Sequence, residues 1–208
     1  MPINIEKKVM FVHIPKAAGS SIEIALDMYG FCNSGSNTIL DSSKAFGKTY
    51  QHMTASELSR FAQKQGVDLQ KFEKFTIVRH PAERMLSEYK WRKGWDEKAR
   101  SMSFIDFLTL HLSDIKPRNM NFDNRHFVAQ SDFITDEIRV FRLEVEMDKV
   151  SSIIRRYSAN NKIEKHNVTN EVNSEFWNDN TRALDLIFEV YKSDFSNFDY
   201  GKMPGEYL

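Results

Sequence analysis

The chain has 208 residues, 41% of them apolar, which is enough for one core and an ordinary size for one domain spanning residues 1–208. Its 29 Lys and Arg balance 29 Asp and Glu, so no net field draws in nucleic acid or an anionic membrane, and any anion affinity must be built locally. A single cysteine, Cys32, excludes an internal disulfide, and no signal-peptide pattern or apolar run near the ~18 residues of a membrane span is present, which leads to the expectation of a soluble cytoplasmic protein.

In chain order, the first apolar run predicts a strand at about 8–14 that stops at Pro15-Lys16. Ala17, Ala18, Gly19, Ser20 and Ser21 then lead into a helix at about 19–29, where Ile22, Ala25, Leu26 and Tyr29 recur at helical spacing. A strand, a tight cationic turn and a helix start make an anion cradle. First-turn amides have no helical acceptor, the macrodipole adds about half a positive charge, and Lys16 adds a full one. A phosphate or a related oxyanion suits it. A Walker A loop places its lysine after the glycines, followed by a hydroxyl for Mg²⁺; here Lys16 precedes Gly19 and the loop is shorter.

Residues 30–46 read as a loop, and residues 49–54 as a short second strand that runs into the next helix and brings His52 to the same sheet edge as Lys16. Thr54-Ala55-Ser56-Glu57 is a capping box opening a helix to about Gln65. Phe72–Val78, rich in aromatic and β-branched residues, predicts a strand delivering Arg79 to its C-terminal end. Pro81 opens the next helix, with Met85, Leu86 and Tyr89 on one face. A Mg²⁺-dependent kinase would more often place a carboxylate at such a strand end. Arginine there favours charge neutralisation without a metal. Ser103 caps a helix to about Leu112, a polar loop runs from about 113 to 124, Ile138–Leu143 predicts a strand, residues 144–158 a helix, and Thr181–Phe195 the last long helix. This alternation predicts an α/β fold, a parallel sheet with helices on both faces and ligands at the C-terminal ends of its strands.

Taken singly, the first segment also reads as an ordinary strand-to-helix turn and the second as a surface helix with solvated arginines. Together they resemble the two motifs of sulfotransferases that use 3′-phosphoadenosine 5′-phosphosulfate (PAPS). Residues 13–21, His-Ile-Pro-Lys-Ala-Ala-Gly-Ser-Ser, resemble the 5′-phosphosulfate loop of the carbohydrate-type branch, with Ala17 and Ser20 where threonine is usual. Residues 78–89 resemble the 3′-phosphate motif, matching it at Arg79, Pro81, Arg84, Ser87 and Tyr89. A looser likeness extends from about residue 9 to 200.

The resemblance implies a P-loop-NTPase-like three-layer fold with a central parallel sheet flanked by helices. It assigns Lys16, Ala17, Ala18, Gly19, Ser20 and Ser21 to the 5′-phosphosulfate, with Lys16 also stabilising the bridging oxygen as it leaves, and Arg79 and Ser87 to the 3′-phosphate. Arg84 ranks lower, as a residue that supports the helix or closes the site. His52 matches the family's general base, while His13 reads as structural and His80 as a residue of the phosphate motif that stands behind the direct contacts. Arg125, His126 and Gln130 fall on the acceptor side, with a plain solvated loop as the alternative reading of that stretch, and Asn167 and Lys165 fall in a loop that closes over the donor. The implied reaction moves a sulfuryl group in line from PAPS to a hydroxylated acceptor, expected to be a carbohydrate, with no metal required. An ATP- or GTP-dependent small-molecule kinase is the competing enzyme, disfavoured by the loop order and the absent acidic strand end. A non-catalytic nucleotide-binding module is the third reading.

Overall fold

A computed structural model describes residues 3–26, 28, 52–113, 125–157 and 174–205. The chain divides into two units, Met1–Val78 with Asp132–His166, and Arg79–Ser131 with Asn167–Leu208. Asn167, Lys165 and residues 49–51 of the expected second strand lie outside the described residues, and residues 52–54, which are described, begin in a turn at His52 and form no strand.

The first unit holds a four-stranded sheet in the order β1-β2-β3-β4. Strand β1 (Ile3–Asn4) turns back into β2 (Val9–Val12) and pairs with it antiparallel. β2 runs parallel to β3 (Glu73–Val78), and β3 parallel to β4 (Arg139–Arg142). The sheet is therefore mixed, where alternating elements led to a purely parallel one. β1 has two residues, too few to show a period of two in sequence. All four β2 residues are buried, which is why that strand reads as an apolar run and not as an alternation. Register sets Val12 opposite Thr76, whose hydroxyl donates to the Val12 carbonyl at 2.7 Å.

Helix α1 (Gly19–Ala25) supplies Ile22 and Ala25 to the core, and α6 (Met147–Tyr157) supplies Val150, Ile153 and Ile154. They close over Val9, Phe11, Phe75, Ile77 and Phe141 of the sheet. The i, i+3, i+4 spacing of the α6 residues puts them on one stripe. Each fully buried aliphatic or aromatic side chain here contributes about 1.5–3 kcal/mol of transfer energy. Glu73, at the start of β3, ties the sheet to α6, receiving Arg139 at 3.2 Å, Arg156 at 2.7 Å and the Tyr157 hydroxyl at 2.8 Å. α2 (Ala55–Lys64) begins at the expected capping box: Thr54 N–H donates to Glu57 Oε2 at 2.8 Å and Glu57 N–H to Thr54 Oγ1 at 3.3 Å.

The second unit is helical. α3 (Pro81–Lys93) packs against α4 (Glu97–Ser101), α5 (Phe104–Leu112) and α8 (Thr181–Val190), and α8 packs also against α5, α7 (Ser174–Asp179) and α9 (Lys192–Asn197). The helix expected over 181–195 breaks at Tyr191, with φ −106° and ψ 28°. That ring is buried, and its hydroxyl donates to the Phe127 carbonyl at 2.7 Å. Among the described residues, no helix is long and apolar enough to cross a membrane.

Candidate active site

In the first unit the loop after β2 is strained at two positions. Lys16 has φ 67° and Ala18 φ 62°, both left-handed, where non-glycine residues cost roughly 1–3 kcal/mol each. Ala18 is also the N-cap of α1, and no side chain caps that helix start. An N-cap Ser, Thr, Asp or Asn would be about 1 kcal/mol better than alanine. The backbone thus holds an unfavourable turn beside uncapped amides, the kind of cost that a bound anion offsets. Lys16 is half-buried, Ala17 is buried against the interior and Ser20 is half-buried.

Gly19 is required by packing. A Cβ there would lie 2.0 Å from His13 Cδ2 and 2.1 Å from His13 Nε2, so the His13 ring occupies the space of a side chain. His13 Nδ1 stands 3.0 Å from Glu23 Oε1, close enough to pair though not aligned as a hydrogen bond, and both residues are buried. Sequence reasoning passed over Glu23, since a glutamate within a helix reads as a solvated face.

His52 Nδ1 lies 3.0 Å from the His13 carbonyl, and the two imidazoles meet edge to face at 4.6 Å. A carbonyl only accepts, so Nδ1 carries the proton and the lone pair of the neutral ring sits on Nε2. The ring is buried and stands two residues ahead of the Thr54 cap, so backbone and tautomer are both fixed. His52 and the strained loop belong to the same unit.

In the second unit Arg79 follows β3 directly and His80 caps α3, accepting from Ala82 N–H through Nδ1 at 3.2 Å. Its Nε2–H donates to the Gly201 carbonyl at 3.0 Å, and its ring meets Phe195 and Tyr200 at 5.3 Å and 5.2 Å. Burial, helped by the Arg79 charge and opposed by the Gly201 bond, brings the His80 pKa down to about 4, so this ring is neutral. Arg79 extends its guanidinium to Glu83 Oε2 at 3.3 Å. The Ser87 hydroxyl, eight positions on, makes no hydrogen bond to another described residue. Arg84 is fully buried; Nη2 donates to the Val128 carbonyl at 2.6 Å and the guanidinium lies 5.4 Å above the Tyr191 ring. Burial pushes the Tyr191 hydroxyl pKa up. Arg84 is thus an interior support of α3.

The acceptor-side residues differ among themselves. Arg125 is half-buried. His126 is buried, with Nδ1 at 2.7 Å from Glu88 Oε2, while the other oxygen of that carboxylate receives Arg92 Nε at 2.8 Å. Trp91 stacks on the His126 ring at 5.3 Å and 17°. Gln130 is buried against the Arg79 peptide and Asp194. The structure therefore gathers Lys16, Ala17, Ala18, Gly19, Ser20, Ser21 and His52 in one unit and Arg79, Ser87, Arg125, His126 and Gln130 in the other. Among the described residues no group of three or more His, Cys, Asp or Glu is arranged to hold a metal ion.

No curated protein and no solved structure matches the chain. A family model described as "Sulfotransferase family" matches residues 2–201. That span takes in the strained Lys16 loop, the buried His52 and the Arg79–Ser87 helix start, and the chain belongs to the sulfotransferase family.

Proposed function

We propose that the chain transfers a sulfuryl group from PAPS to a carbohydrate hydroxyl, as one P-loop-like domain. Lys16 and the residues 17–21 take the 5′-phosphosulfate, and Arg79 and Ser87 take the 3′-phosphate; Asn167 is assigned to the donor by resemblance alone. The observed groups suit that donor. A left-handed Ala18 leaves α1 without a side-chain cap, Lys16 is half-buried beside it, and the Ser87 hydroxyl has a lone pair and a proton to give.

The observation that carries the reading is the hydrogen bond from His52 Nδ1 to the His13 carbonyl. It fixes the tautomer whose Nε2 accepts a proton, as a general base near neutral pH must. As the acceptor oxygen bonds to sulfur, its proton passes to His52 Nε2. The bond from sulfur to the bridging phosphate oxygen breaks, and adenosine 3′,5′-bisphosphate leaves with the electron pair. Lys16 stabilises the charge growing on that oxygen. Little covalent work falls to the protein; placement and fixed charge dominate. Arg125 contacts the acceptor, with His126 held behind it.

Incubation with ³⁵S-labelled PAPS and a panel of polysaccharides and small hydroxylated metabolites tests this. Label is expected in a glycan with the native chain and to be absent with His52→Ala. Label confined to non-carbohydrate acceptors would overturn the acceptor class, and full labelling by His52→Ala would overturn the base.

A further inference from the structure

We infer that Gln130 and Asp194 are positioning residues that set the aim of Arg79 and, through it, the preference for a nucleotide bearing a 3′-phosphate. The inference rests on the reading of Arg79 given above. Arg79 sits where β3 has ended and α3 has not begun, so neither a sheet ladder nor a helix satisfies its peptide groups. Gln130 takes both of them. Its Oε1 accepts Arg79 N–H at 2.9 Å, and its Nε2 donates to the Arg79 carbonyl at 2.8 Å. One side-chain amide thereby closes a two-point ring on one residue's backbone and fixes both φ and ψ there.

The amide is itself held. Asp194, fully buried on α9, accepts the Gln130 backbone N–H at 2.8 Å and its Nε2–H at 3.4 Å through Oδ2, and the Ser131 N–H at 2.9 Å through Oδ1. A carboxylate is acceptor-only, so it forces the Gln130 nitrogen toward Arg79 O and the oxygen toward Arg79 N–H. The amide cannot flip. Gln130 is completely buried as well, which makes each of these bonds costly to lose. The guanidinium also reaches Glu83 at 3.3 Å, a partly exposed pair that holds it weakly. Its direction is inherited from the clamped peptide, and small displacements of a charged group cost a large factor in recognition.

The test compares affinities of adenosine 3′,5′-bisphosphate and adenosine 5′-monophosphate for the full chain by calorimetry, with Gln130→Met and Asp194→Asn alongside. Asp194→Asn keeps the volume and one acceptor, and it decides the matter if Gln130→Met does not fold. The ratio of the two affinities is expected to fall by about tenfold or more in either variant. Monophosphate affinity is expected to stay within a few-fold, and adding either change to Arg79→Ala is expected to move the ratio no further. A merely structural role would lower the melting temperature and leave the ratio alone. A bisphosphate preference that survives in the folded variants overturns the clamp while sparing Arg79. Equal affinity of the native chain for both nucleotides overturns the assignment of Arg79 and the clamp with it.

Discussion

Lowering the pH from 7 to 5 probes the packing around His80. In the folded chain this ring accepts from Ala82 N–H and donates to Gly201 O, so both nitrogens are committed to the neutral form. Its folded pKa is about 4 against an ordinary 6.5. Because the folded value lies below the unfolded one, the unfolded chain takes up the proton first. The contribution is present above pH 6.5 and is lost as pH falls toward 4. The full gap corresponds to about 3 kcal/mol, of which about 2 kcal/mol is lost by pH 5. Against a total of roughly 5–15 kcal/mol for a domain, that is a large change. Urea unfolding at both pH values, on the native chain and on His80→Asn, isolates it. Asparagine is a good N-cap and does not titrate, while His111, whose pKa burial also lowers, is common to both chains. The stability lost between pH 7 and 5 is expected to be about 2 kcal/mol smaller in His80→Asn. Equal losses in the two chains would refute the neutral, committed ring.

His52→Ala is expected to bind adenosine 3′,5′-bisphosphate like the native chain while turnover falls by roughly a hundredfold or more, seen by calorimetry beside a label-transfer assay. Gly19→Ala drives a Cβ into the His13 ring and is expected to lower stability by about 1–3 kcal/mol by chemical denaturation. Adding His13→Ala is expected to recover part of that loss, and no recovery would contradict the packing. Glu83→Gln removes the carboxylate that Arg79 now reaches and is expected to tighten bisphosphate binding by up to about fivefold, measured at low salt.

Much of the fold was legible because its signals are local. The buried β2 run, the Thr54–Glu57 capping box and Pro81 at a helix start each declare themselves within a few residues. The cationic loop is local in the same sense, and the spacing from Arg79 to Ser87 survives as one helix start. What escaped is set by distant partners. Gln130 reads as an acceptor-side residue until Arg79, 51 positions away, is found in its grip. Asp194 reads as one position of the last long helix until its two oxygens are seen on the 130–131 backbone. The tautomer of His52 depends on a carbonyl 39 residues earlier. The break at Tyr191 follows from a buried hydroxyl reaching Phe127, which no helical period encodes. β1 was missed because two residues cannot display alternation.

In the proposed reaction separate positive clusters, one built on Lys16 and one on Arg79, take opposite ends of an adenosine donor without a metal. Calorimetric titration of adenosine 3′,5′-bisphosphate in EDTA, on the native chain and on Lys16→Ala and Arg79→Ala, tests it most directly. Binding by the native chain is expected, with a loss of about ten- to a hundredfold in each variant, the worth of a charged hydrogen-bonded contact. Failure of the native chain to bind, or full affinity in both variants, would contradict it.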